Sequence, residues 1–190
     1  MNHSDLTQYT HGQLSEYTHG QLSGELLNLN LVTNRTFTDV QRWLELRNKG
    51  WYGMTDVERQ EWLGEIETTP SAARGMYTHN DLNRVESAVV AILAKFQEAG
   101  YNPPVLVAKT DWTYTDMFSE DDMRRYLLNV DTLREYMVVY RSTPKTPKIE
   151  KNLDYKLAND IEKILEDVYR IATNIMNSWY YSGEIISGEV

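Results

Sequence analysis

The sequence predicts an all-α fold: three long amphipathic helices in a bundle, plus short N-terminal helices. An extended N-terminal repeat arm and an extended C-terminal tail flank them. Three observations predict this. Apolar residues recur at helical spacing over 79–99, 120–139 and 154–178. Each of these segments opens on Thr, Ser or Asp with an apolar or aromatic residue just before it, the signature of a capped and stapled helix start. Pro and Gly punctuate the intervals between them. The units expected are a repeat arm (1–32), a short-helix region (33–76), a three-helix body (77–178) and a tail (179–190).

Residues 1–24 are three tandem octads. The second and third both begin Y-T-H-G-Q-L-S, and the first, M-N-H-S-D-L-T, is a degenerate copy. A fourth copy, Y-T-H-N-D-L-N-R, opens the segment at 77–84, so all four histidines (His3, His11, His19, His79) hold the same place in the unit. Thr78 and Asp81 have capping-box spacing, and Thr10/Gln13 and Thr18/Gln21 repeat it with Gln as the reciprocal partner. With one Leu and at most one aromatic per octad, the arm cannot bury a core alone and is expected to lie on something else. Glu25 to Val32 follows, with Leu27, Leu29 and Leu31 alternating with Asn, which is the period of a short strand pairing with another chain or a distant segment.

In the short-helix region Thr38 is expected to cap a helix, with Gln41 as its partner. Val40, Trp43 and Leu44 would face inward, and Gly50 would stop the helix. Thr55 and Glu58 open a second helix to about Glu65, with Val57, Trp62 and Leu63 inward. Trp43, Trp51 and Trp62 are expected to form the small core of this pair. Thr69-Pro70 reads as a third start with Pro at the first helical position, and Gly75 as its stop.

The helix from His79 carries Leu82, Val85, Val89, Ile92 and Phe96 on one stripe, and Gly100 with Pro103-Pro104 ends it. Val105 to Ala108 reads as a brief extended piece. Ser119 and Asp122 cap the next helix, whose stripe is Met123, Tyr126, Leu127, Val130, Leu133 and Met137. Residues 141–151, rich in Pro, Lys and Thr, read as an exposed linker. The last helix opens at Asp154 and buries Leu157, Ile161, Ile164, Leu165, Val168, Ile171, Ala172 and Ile175. Residues 179–190 (W-Y-Y-S-G-E-I-I-S-G-E-V) read as an extended, edge-seeking tail.

Composition narrows the chemistry. The 190 residues carry a net charge of −9, which argues against nucleic acid and against anionic membranes as partners. There is no cysteine, so thiol chemistry and Cys-based zinc sites are excluded. No stretch approaches the roughly 18 apolar residues of a membrane span, and no signal peptide is visible. Histidines eight apart do not suit a helical zinc pair, which needs a spacing of about three to five. A trimer about an axis could gather three imidazoles around an ion, but solvent-facing, cap-adjacent histidines are the simpler account, and no metal is assigned. Glu120, Asp121 and Asp122 complement a helix dipole. No nucleophile elbow, phosphate loop, dinucleotide fingerprint or zinc-protease motif is present, so neither an enzyme nor a cofactor is expected. Aromatics Trp179, Tyr180 and Tyr181 at a helix end suit a protein contact.

The tandem Y-T-H-x-Q-L-S units resemble the N-termini of minor structural, tail-associated proteins of phages and prophages of Gram-positive Firmicutes. The stretch K-T-D-W-T-Y-T-D-M-F-S-E-D-D-M-R-R-Y-L-L-N-V-D-T-L-R (109–134) resembles a module of the same group. So do N-D-L-N-R-V-E (80–86) and L-D-Y-K-L-A-N-D-I-E-K-I-L (153–165). The resemblance implies a virion component of the tail tip, baseplate or fibre base, made in the host cytoplasm. Its partners would be other phage tail proteins and further copies of itself. The residues expected to meet them are Tyr9, His11, Leu14, Tyr17, His19, Leu22, Leu27, Leu29 and Leu31 in the arm, and Trp179, Tyr180, Tyr181, Ile185 and Ile186 in the tail. A receptor- or carbohydrate-binding module of the tail is the alternative.

Overall fold

The computed structural model describes residues 29–148 and 153–186, with side chains through Ser178. Among these residues the chain is all-α and contains no strand. The helices are α1 (Phe37–Gly53), α2 (Asp56–Leu63), α3 (Ala72–Gly75), α4 (His79–Glu98), α5 (Glu120–Tyr136) and α6 (Tyr155–Ile186). The octads and Leu27 lie outside the described residues, as do residues 187–190.

Two apolar clusters organise the helices. α4, α5 and α6 surround the larger one, built on Val85, Ile92, Phe96, Tyr126, Val130, Leu133, Ile161, Leu165 and Val168. Every position of the predicted α4 stripe is buried, because the 3.6-residue period leaves Leu82, Val85, Val89, Ile92 and Phe96 on one face. Thr78 and Asp81 form the expected capping box, and so do Ser119 and Asp122. Gly100 takes φ 75 just past the end of α4, a conformation that a side chain would oppose. The smaller cluster joins α1, α2 and α3 through Leu46, Met54 and Ala72, with Trp43 and Trp62 against them.

The short-helix region departs from expectation in detail. α1 is capped two residues earlier than expected, by Thr36, because Asp39 at the third position answers the Thr36 N–H with a charged carboxylate; the Thr38 hydroxyl only meets that of Thr36. Backbone at Gly50 leaves helical geometry (φ 66), which kinks α1 where its stop was expected. The inward face holds Asp39 and Leu46 rather than Leu44, which is 39% exposed. In α2, Val57 and Leu63 face outward while Glu61 is buried, since Arg42 and the Ala72 N–H both donate to its carboxylate. Trp51 lies outside the core: it is half exposed and Arg59 stacks over its ring. α3 begins after Ser71, whose hydroxyl accepts from the Arg74 N–H, so Pro70 precedes the cap rather than following it.

Three further expectations change. Residues 29–32 form no strand. Asn30 takes a positive φ of 50, which breaks the two-residue alternation, and Leu29 and Leu31 pack onto the chain's own larger core. The linker after α5 is pinned at Thr143, buried with its hydroxyl 2.7 Å from Asp167 Oδ2, and at Pro144, whose carbonyl accepts from Arg134 Nε at 2.6 Å. The tail expected to be extended from residue 179 is helical through Ile186, continuing α6. The stepwise apolar pattern of α6 leads into Trp179 without a Pro to interrupt it.

Candidate functional site

The most organised polar feature is a pair of side-chain clamps. On α4, Asn83 holds the backbone of Trp112 from both sides: its Nδ2 donates to the Trp112 carbonyl at 2.8 Å, and its Oδ1 accepts the Trp112 N–H at 2.7 Å. One turn on, Glu86 Oε2 accepts the Lys109 N–H at 3.0 Å. On α6, Asn159 holds Arg35 in the same two-sided way, at 2.9 and 3.0 Å, and Glu162 Oε2 accepts the Val32 N–H. Asn and Glu three residues apart share a helix face. Each pair therefore reads the backbone of a non-helical strap at two points three residues apart.

The straps match as closely as the clamps. Residues 32–39 read V-T-N-R-T-F-T-D and residues 109–116 read K-T-D-W-T-Y-T-D. In both, the first residue gives its N–H to Glu and the fourth is gripped by Asn. In both, the fifth, a Thr, has its N–H 2.8 Å from the Asp that ends the motif. Its hydroxyl also lies 2.8 Å from that of the Thr two residues on in both copies. The two units are internal copies of one strap-and-clamp device.

Each clamp glutamate also binds an arginine of a second helix. Glu86 receives both terminal nitrogens of Arg125 from α5, at 2.8 and 2.9 Å. Glu162 receives Arg84 from α4 at 2.8 and 3.0 Å, and Arg35 of the strap at 2.7 Å. Arg35 also reaches Asp81 Oδ1 at 2.8 Å, which ties the strap to the capping box of α4. Burial disfavours the Arg84 charge, but its bonds to Glu162 and Asp81 outweigh this and hold its pKa above the usual value. Tyr77 and Tyr126 meet hydroxyl to hydroxyl beside this network. Burial pushes the pKa of both phenols up, so they stay protonated.

The same economy recurs in the short-helix region. Asp39 accepts the Ser71 N–H at 2.6 Å. Burial alone would raise the Asp39 pKa, but the Ser71 N–H and the Thr36 hydroxyl and N–H hold it below the usual range. Arg42 lowers the pKa of Glu61 against the cost of burial.

A cleft of about 490 Å³ opens beside the α4 cap, lined by Tyr77, His79, Trp112, Tyr114, Asp116 and Phe118 among others. Tyr114 is exposed at its rim, whereas Trp112 belongs to the core. Among the described residues no group of three or more His, Asp or Glu is arranged to hold a metal ion, and no helix is long and apolar enough to cross a membrane.

Of the residues expected to meet partners, Leu29 and Leu31 are half-buried on the chain's own core. Tyr9, His11, Leu14, Tyr17, His19, Leu22 and Leu27 lie outside the described residues. Trp179, Tyr180, Tyr181, Ile185 and Ile186 lie on the described helical backbone of α6, but their side chains are outside the description. Composition and capping signals did not single out Asn83, Glu86, Asn159 and Glu162. Setting residues 32–39 beside 109–116 is the signal that finds them. No protein family, curated protein or solved structure matches this chain.

Proposed function

We propose that this chain is a structural component of a phage virion tail, at the tail tip, baseplate or fibre base. Its octad arm docks on a neighbouring tail subunit, and a three-helix bundle serves as a rigid spacer. The observation that carries this reading is the use of the buried carboxylates. Asp39, Glu61, Glu86, Glu162 and Asp167 each accept a hydrogen bond from a distant segment of the chain. Such bonds fasten straps and loops onto helices, which suits a part that bears load and keeps its shape. The tandem octads ahead of this fastened body supply a repeated attachment unit. Deleting residues 1–24 should leave the far-ultraviolet circular dichroism of the body intact and abolish incorporation into particles. Normal incorporation of the truncated chain would refute the proposal.

A second reading is supported by the cleft between Tyr77, Tyr114 and Phe118, whose aromatic and hydroxyl lining suits a sugar ring. A glycan array with purified protein separates the two, since a spacer binds none of the glycans.

A further inference from the structure

We propose that the Asn159–Glu162 clamp on α6 is a docking site for the 32–39 strap of a second copy of this chain. The strap would then exchange between neighbouring subunits. This rests on the reading of the chain as an assembly component, and it names the contact through which copies join.

Three observations lead there. First, the device occurs twice. Two helices of different sequence grip two straps whose gripped residues are unlike, Arg35 in one and Trp112 in the other, through the same two backbone positions. Recognition therefore resides in the strap pattern x-T-[N/D]-x-T-[F/Y]-T-D and the Asn-x-x-Glu pair, and a strap from another copy presents identical atoms. Second, the two uses differ in how the chain closes them. Asn83 and Trp112 are 29 residues apart, whereas Arg35 and Asn159 are 124 residues apart. The second closure is the long one, whose entropic cost makes an intermolecular partner more competitive. Third, the strap leads into α1, and α1, α2 and α3 have an apolar cluster of their own, separate from that of α4, α5 and α6. An exchanged strap can carry that unit with it, and only Leu29 and Leu31 at its start leave the larger core, to take the same places on the partner's. Exchange of an identical element is a low-cost route to association. In the free chain the tethered strap acts at an effective concentration on the order of millimolar, so exchange belongs to crowded copies in a particle.

The test uses two full-length variants. Arg35→Pro removes the N–H that Asn159 accepts together with the guanidinium, which gives an empty clamp and a disabled strap. Asn159→Ala gives a disabled clamp and a usable strap. Each alone should elute as a monomer in light-scattering chromatography, and the mixture should yield a species of twice the monomer mass. A synthetic peptide of residues 29–40 should raise the melting temperature of the Arg35→Pro chain saturably, and the same peptide carrying Arg35→Pro should not. Two monomers in the mixture, with helical circular dichroism intact, would overturn the proposal; so would the absence of any shift with the wild-type peptide. If Arg35→Pro lowers helix content, Val32→Pro, which removes the backbone donor to Glu162 and keeps the Arg35 guanidinium, replaces it under the same readouts. A negative result leaves incorporation of the wild-type chain into particles unaffected, so the two proposals fail separately.

Discussion

Glu162 is fully buried and would be costly to ionise there without partners. It has three: the Val32 N–H, Arg35 and Arg84. Asp81 shares both arginines, which leaves two cations facing two anions around the end of the strap. Breaking a buried pair from one side costs more than the pair contributes, since the other charge is stranded. Glu162→Gln, nearly isosteric, should therefore lower unfolding free energy by about 3–5 kcal/mol, measured by urea denaturation. A loss well under 1 kcal/mol would show that the arginines find other partners. None of this was legible at the outset. Capping boxes are local, so Thr78 with Asp81 and Ser119 with Asp122 could be read from three-residue spacings. The partners of Glu162 lie 78 to 130 residues away, and no periodicity reports a contact at that range.

Among the elements, the short helices are where local reading held least: the Thr55–Glu58 box formed as expected, but polar contacts decided which faces turned inward. The apolar stripe of α1 suggested Leu44, but the fastening of Ser71 by Asp39 and of Arg42 by Glu61 turned a different face inward. α3 sits so close to α1 that a Cβ on Gly75 would fall 2.1 Å from the Asp39 carbonyl oxygen. Gly75→Ala should push the two helices apart at a cost of about 1–3 kcal/mol, seen as a change in fluorescence from the tryptophans packed on this core. An unchanged spectrum and melting temperature would contradict the close approach. Acid should act on the same helices. Lys49 and the Thr55 N–H lower the Glu58 pKa to about 2, and Glu61 and Asp39 also lie below their usual values. Groups whose pKa is lowered by folding stabilise the fold above their unfolded value, near 4.5 for Glu, and lose that contribution as pH falls through the folded value. The indole proton signals of Trp43 and Trp62 should therefore hold steady from pH 7 to about 5 and collapse between about 4 and 2. Collapse on raising the pH would reverse the sign and refute the assignment.

At the scale of the whole molecule, helix type and the larger core were legible because long segments kept one period over roughly five turns or more. The division into two cores is legible only in part, since the close spacing of Trp43, Trp51 and Trp62 suggests one cluster and Trp51 stands outside it. Leu46 is fully buried at the centre of that smaller cluster. Leu46→Ala should cost about 2–5 kcal/mol, and the loss should stay local. Amide exchange should accelerate across α1, α2 and α3 and remain slow across α4, α5 and α6. Uniform acceleration throughout would show that the clusters unfold as one.

The last helix has a geometric consequence. α6 spans 32 residues against 20 in α4 and 17 in α5. At 1.5 Å per residue it is roughly 48 Å long, about 18 Å more than α4. Neither neighbour can accompany it over its full length. A floppy tether would report only how far away its cargo lies, but a rod also dictates where that cargo points. Anything joined near Ile186 would take its bearing from the fastened arginines and carboxylates at the other end.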